Sequence, residues 1–219
     1  MKRWDIELAS IIDHTNLKAD ARRTEIEHLC EDVRRYRFAA AVVHPFFVPE
    51  ALRVLKDSGI AVCSVVSFPF GAHPPRHKEQ ECIALIEAGA AEIDMVMNIG
   101  AFLSGEHGVV REELERAVSV CRGRTVTKLI IETALLDRDG IVRAAGMGAA
   151  AGFDYIKTST GHASRGASVE DVELIASAVG GRCGIKAAGG IKARRTALAL
   201  VEAGATRIGC SASLDVIRL

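Results

Sequence analysis

The chain has 219 residues, and its 28 Lys and Arg equal its 28 Asp and Glu, so no overall field draws in nucleic acid or a membrane and any anionic ligand must be held by a local site. Hydrophobic residues at 49% supply a sizeable core, whereas aromatic residues at 5% are too few for a base-stacking surface. No apolar run approaches bilayer length, and the start Met1-Lys2-Arg3-Trp4-Asp5-Ile6-Glu7 lacks a signal-peptide core, which reads as a soluble, cytoplasmic protein.

The length predicts one domain over residues 1–219, opening on a short helical turn. A strand over 11–15 leads to a helix over 20–36, in which Ile26, Leu29, Cys30 and Val33 recur at helical spacing. A second strand over 39–43 closes at His44-Pro45, a helix over 48–57 stops near Gly59, and a third strand runs 61–66. The prolines and glycine of 67–75 predict an irregular loop, suited to form a lid or wall of a site. Beyond it, strands over 91–97, 126–131, 155–157, 183–186 and 206–209 alternate with helices over 78–88, 111–121, 137–151, 169–179 and 193–203. Ser168 with Asp171 resembles a capping box at the start of one of these. A weak repeat recurs at Glu87-Ala88-Gly89, Ala150-Ala151-Gly152 and Glu202-Ala203-Gly204, each a helix end, a glycine and a short link into a strand. Eight such alternations predict a parallel sheet closed into a (β/α)8 barrel. An open doubly wound sheet is the runner-up, weakened because no G-x-G-x-x-G follows the first strand.

In such a barrel the strand C-termini share one face, which here would gather Asp13, Thr15, Asp94, Asn98, Lys128, Glu132, Lys157, Thr158, Lys186 and Ser211. Lys157 ends a short apolar strand and stands before three hydroxyl residues and a glycine. Its bland reading is a packed stem with a solvated charge; its functional reading is a carbonyl-attacking amine. An ion-pair network that merely holds the barrel together is the competing account of the whole charged set. Nucleophilic use requires an uncharged amine, and bringing a lysine to neutrality near pH 7 costs about 4 kcal/mol, which a second cation such as Lys186 and partial desolvation can offset. Gly189-Gly190 after strand seven and Gly209-Cys210-Ser211 after strand eight let backbone N–H groups approach an anion, the usual place for a barrel's phosphate site. Metal chemistry is disfavoured: His73 and His77 flank prolines, His14 lacks a triad, and the six cysteines are scattered as reduced, buried thiols.

The segments Ile12-Asp13-His14-Thr15, Glu92-Ile93-Asp94-Met95-Val96, Lys128-Leu129-Ile130-Ile131-Glu132-Thr133, Lys157-Thr158-Ser159-Thr160-Gly161 and Lys186-Ala187-Ala188-Gly189-Gly190-Ile191 resemble, in order along nearly the whole chain, those of the 2-deoxyribose-5-phosphate aldolases. The resemblance implies reversible cleavage of 2-deoxy-D-ribose 5-phosphate to D-glyceraldehyde 3-phosphate and acetaldehyde, with no metal or organic cofactor. It implies Lys157 as Schiff-base nucleophile, Asp94 as acid/base and Lys186 as the second lysine of the relay. Substrate contacts would come from Asp13, Thr15, Lys128, Thr158, Gly161, Gly189, Gly190 and Ser211, with Lys128 holding Asp94. A homodimer is expected on the same ground. The chain departs from the pattern at Val42, where a cysteine is common, at Asn16 and His162, which bear on substrate choice, and at Ala212-Ser213, which put some phosphate contacts in doubt. The alternatives are a Schiff-base aldolase with other aldehyde partners and a catalytically silent sugar-phosphate-binding barrel.

Overall fold

A computed structural model describes residues 8–218 and shows eight parallel strands closed into a barrel in chain order. They are β1 (Ile12–Asn16), β2 (Ala40–Val43), β3 (Ala61–Val66), β4 (Glu92–Val96), β5 (Val126–Ile130), β6 (Tyr155–Lys157), β7 (Gly184–Ala188) and β8 (Arg207–Cys210). Pairing of Ile12 with Ile208 closes the ring and removes the open-sheet alternative. The strands are covered on both faces, which is why β2 is an uninterrupted buried Ala-Ala-Val-Val run. The surrounding helices are α1 (Arg23–Tyr36), α2 (Val48–Val54), α3 (Pro75–Glu87), α4 (Ile99–Leu103), α5 (His107–Cys121), α6 (Arg138–Ala151), α7 (Val169–Val179), α8 (Arg194–Glu202) and α9 (Ser213–Ile217). Helix α1 buries the four residues whose spacing predicted it.

Most departures from the predicted boundaries have a local cause. Helix α1 starts at Arg23 rather than residue 20 because Arg22 is extended and its N–H donates to Glu25 Oε2 at 2.8 Å, closing the first turn. Helix α2 ends at Val54, and Gly59 lies beyond its end rather than capping it. Pro75 begins α3 three residues early, since proline suits a first-turn position whose N–H would go unbonded. His77 is therefore helical, and His73 pairs with Glu81 instead. Helix α5 starts at His107, ahead of the predicted residue 111, and the five-residue α4 and α9 were not predicted at all. Strand β7 runs to Ala188 because Ala187 and Ala188 pair with Ile208 and Gly209 of β8. That extension puts Lys186 in the middle of its strand. Of the predicted opening turn, Leu8 and Ala9 pack in the core, and residues 1–7 lie outside the described residues. Among the described residues no helix is long and apolar enough to cross a membrane.

A buried ion pair joins the helical layer to the strand that carries Asp94. Lys78 of α3 and Glu113 of α5 are fully buried and 2.7 Å apart. Lys78 Nζ also donates to Val96 O at 2.8 Å, and Glu113 Oε1 accepts from Asn98 N at 2.7 Å. Burial pushes the lysine down and the carboxyl up, so desolvation outweighs their mutual attraction. Such a pair positions more than it stabilises. Replacing Lys78 by Met is expected to cost about 3–5 kcal/mol in urea unfolding, because the glutamate is left uncompensated, whereas the double variant Lys78→Met/Glu113→Leu regains most of that loss. Equal losses in both variants would contradict it.

Candidate active site

The barrel register brings the charged residues together inside the strands rather than at their ends. Asp94, Lys128 and Lys186 each occupy the third position of a five-residue strand, and register pairs Asp94 with Lys128 and Lys157 with Lys186. Lys157 alone of these four ends its strand. Asp94 is the hub: its Oδ2 lies 2.7 Å from both Lys157 Nζ and Lys186 Nζ, and its Oδ1 lies 2.8 Å from Lys128 Nζ. Beneath it, Asp13 pairs with Lys186 at 2.5 Å and Arg207 at 2.6 Å, and Glu92 pairs with Lys128 at 2.6 Å and Arg207 at 3.2 Å. Carboxylates buried this deeply require such partners.

These pairings divide the lysines. Burial alone would raise the Asp94 carboxyl, but three ammoniums outweigh it and hold the group well below its ordinary 3.8. Asp13 is likewise held below 3.8, by Lys186, Lys128 and Arg207 against burial. Burial would lower Lys128 and Lys186, yet their carboxylates win and hold both above the ordinary 10.5, Lys128 well above it. Lys157 goes the other way: burial lowers it, the Lys186 charge lowers it further, and its single carboxylate partner does not compensate. Among the described residues, Lys128, Lys157, Lys186 and Arg207 of this cluster face only Asp13, Glu92 and Asp94. A neutral Lys157 balances the charge.

Lys157 is also the member of this layer that reaches a cavity of about 440 Å³ at the C-terminal end of the barrel. Thr15, Gly161, Gly189, Gly190 and Ser211 line the same space, whereas Asp13, Asp94, Lys128, Thr158 and Lys186 stand behind its wall. Thr158 is buried and bonds Ala188 through both O and N–H at 3.1 Å. Asn98 is absent from the cavity because its side chain caps α4, accepting from Ala101 N at 3.0 Å. Ser213 is turned away as well, since its hydroxyl donates to Cys210 O and meets His14 Nδ1 at 2.8 Å. His162 lines the opening with its ring 5.1 Å from Phe68, so the 67–75 loop braces that wall.

A family model for DeoC/LacD family aldolases matches residues 8–217. The chain belongs to this family. Among DeoC/LacD aldolases, it is 47% identical over 213 residues to the deoxyribose-phosphate aldolase of Aciduliprofundum boonei, covering 96% of each chain. It is 43% identical over 210 residues to the deoxyribose-phosphate aldolase of a Geobacillus species, covering 96% of this chain and 94% of that one. The solved tetrameric deoxyribose phosphate aldolase of Aeropyrum pernix superimposes with a TM-score of 0.89 at 31% identity, covering 99% of this chain and 97% of the other.

Several residues of this family member's site were not singled out by sequence. Lys18 and Lys192 line the cavity mouth and supply the local positive charge that a net-neutral chain needs for an anion. Lys192 directly follows Gly189-Gly190-Ile191, a signal that was available. Cys63 of β3 lies 3.2 Å from Asp94 Oδ1 and 3.4 Å from Lys128 Nζ, in register with Val42. Burial beside Asp94 pushes its thiol far up, so it is a neutral hydrogen-bonding group. Nothing local in the sequence marks it.

The carboxylates held below 3.8 stabilise the fold fully above that pH, and the contribution is lost as pH falls through their folded values. Lys128 and Lys186, held above 10.5, contribute below that pH and lose it as pH rises through theirs. Urea midpoints measured across pH are therefore expected to drop at both extremes, and Asp13→Asn should flatten the acid limb while lowering the neutral plateau. An acid limb as steep as wild type in Asp13→Asn would rule out this assignment.

Proposed function

We propose that this protein is a class I aldolase that reversibly cleaves 2-deoxy-D-ribose 5-phosphate to D-glyceraldehyde 3-phosphate and acetaldehyde through an imine on Lys157. The observation that carries the reading is an amine facing the cavity with its pKa depressed, 2.7 Å from a carboxylate oxygen shared with a second, charged lysine. The names of the relatives from A. boonei and Geobacillus support the substrate.

In this reading the neutral Lys157 amine attacks the C1 aldehyde of the open-chain sugar, and the resulting carbinolamine loses water to give an iminium. The C3 hydroxyl then gives up its proton and the C2–C3 bond breaks. Its electron pair passes into the iminium, releasing glyceraldehyde 3-phosphate and leaving an enamine. Protonation at C2 and addition of water release acetaldehyde and the free amine. Asp94, ionised and adjacent to both amines, is the proton acceptor, and Lys186 is the donor that restores its proton balance. Lys128 keeps Asp94 in place through Oδ1. Backbone N–H groups around Gly161, Gly189 and Gly190, with Ser211, would hold the phosphate, and Thr15 the sugar. Asp13 and Thr158 act from behind the wall, on Lys186 and on the β7 backbone. No step calls for a metal or organic cofactor. A homo-oligomer and a cytoplasmic location belong to the same proposal, supported by the tetrameric A. pernix relative and by six free thiols.

Acetaldehyde with borohydride is expected to leave one reduced ethyl adduct on Lys157, mapped by peptide mass spectrometry; an unmodified wild-type chain would sink the reading. Lys157→Leu should lower kcat on the order of 10³-fold or more. Because the free amine is the reactive form, kcat/KM should rise with pH and level off below 10.5. In Lys186→Leu, loss of the neighbouring cation leaves Asp94 to favour the Lys157 ammonium, so the midpoint of that rise moves to higher pH. A midpoint that stays put or falls would remove Lys186 from the relay.

A further inference from the structure

Glu132 follows β5 and is only 3% exposed, yet it is not among the residues that line the cavity. Its backbone is left-handed, with φ 50° and ψ 70°, a conformation that a non-glycine residue adopts against steric resistance. The side chain accounts for this placement. Its Oε2 accepts from Thr160 N at 3.0 Å and from Thr160 Oγ1 at 2.5 Å, while Oε1 is buried with no hydrogen-bond partner among the described residues. Both bonds end on one residue of the loop between β6 and α7.

That loop carries Gly161, and it meets the loop after β7 backbone to backbone. A Cβ on Gly166 would stand 2.0 Å from Gly189 O, and a Cβ on Gly189 would stand 2.9 Å from Gly166 Cα and 3.5 Å from Gly161 Cα. Apart from Ser159 Cβ, 3.4 Å from the Cβ added to Gly189, the neighbours at this contact are backbone, so the relative position of Gly161 and Gly189 depends on how each loop is held. Thr160 Oγ1 also accepts from His162 N at 3.0 Å, so the contact to Glu132 fixes both residues flanking Gly161. A second tie holds the far end of the loop: Arg165 bonds Thr133 O and pairs with Asp171, which accepts from Thr133 Oγ1 at 2.9 Å. Both ties originate at the turn after β5.

We propose that Glu132 is a positioning residue for the phosphate subsite, acting through Thr160 to seat Gly161 against Gly189, and not a group that touches substrate. This rests on the aldolase reading for its substrate, but its consequence is separable from the imine chemistry: Glu132 should matter for ligands that carry a phosphate and be indifferent to the amine. Gln at this position keeps an oxygen able to accept both Thr160 bonds, whereas Ala removes them.

The test compares 2-deoxyribose 5-phosphate with unphosphorylated 2-deoxyribose in wild type, Glu132→Ala, Glu132→Gln, Thr160→Val and Thr160→Ser. Glu132→Ala is expected to raise KM for the phosphorylated sugar about 10-fold or more with kcat within about threefold, to leave kcat/KM on the unphosphorylated sugar within about twofold, and to be rescued by Glu132→Gln. Thr160→Val should show a smaller loss of the same kind, rescued by Thr160→Ser, and decides the matter alone if Glu132→Ala fails to fold. Acetaldehyde trapping on Lys157 should be unchanged in every variant. Equal losses on both sugars, a loss confined to kcat, or no loss at all would overturn the proposal. If wild type cleaves neither sugar, the aldolase reading fails, and calorimetric binding of inorganic phosphate still decides this one: weaker binding in Glu132→Ala, restored in Glu132→Gln, supports it, and unchanged binding overturns it.

Discussion

One carboxylate shared by three lysines sets the terms for the rest of the barrel interior. Asp94 is fully buried, and an isolated charge there would neutralise rather than persist. It persists because β5, β6 and β7 each deliver a lysine to it. Those lysines are in turn affordable only because Asp13 and Glu92 hold two of them from below, with Arg207 tying the two acids together. The third lysine has only Asp94, and it is the one whose charge the site disfavours. Chemical difference among three identical side chains thus arises from how many carboxylates each can reach.

The same closure that builds this cluster also separates it from the ligand space. Parallel strands of fixed register place alternate residues inside the barrel, so charges in mid-strand lie below the mouth and the last residue of β6 sits at its edge. Above that level the loops take over, and there the sequence turns to glycine. Gly166 and Gly189 bring two loops into backbone contact that a Cβ on either would prevent, and Gly161 and Gly189 both need φ 89°. A rigid, charged floor and a close-fitting rim of backbone N–H groups therefore come from different parts of each βα unit.

How much of this could be read from the chain depended on whether the cause was local. The strands of β3 and β6 and the helix α7 matched prediction residue for residue, because apolar runs bounded by glycine, proline or a serine cap state their own limits. Helices α4 and α9 were missed because five residues are too few to show a period, although Asn98 was a usable cap signal. The same limit applied to the site. Asp94, Lys157 and Lys186 stood out as charges within apolar strands, and Asp94 lies mid-strand as expected, but Lys186 does not end its strand, which only the pairing of β7 with β8 reveals. Cys63, Glu92 and Arg207 escaped notice because each looks ordinary alone and acquires meaning only across the barrel from sequence positions 31 to 194 residues away.

The charge count inside the barrel bears on the direction in which an imine would react. With Lys157 neutral, three cations meet three carboxylates, and the low-dielectric interior is balanced. An iminium adds a positive charge with only Asp94, already shared with Lys128 and Lys186, to meet it. Conversion to the enamine removes that charge as the carbon–carbon bond breaks, and protonation of the enamine restores it. The surrounding field therefore favours collapse of the charged intermediate to the neutral one, the opposite of what a second unshared carboxylate beside Lys157 would do. In the proposed reaction Lys186 would do more than lower the pKa of its neighbour: by occupying Asp94 Oδ2 it would keep the carboxylate from stabilising an iminium on Lys157 too well, so that the intermediate would meet enough counter-charge to form and too little to persist.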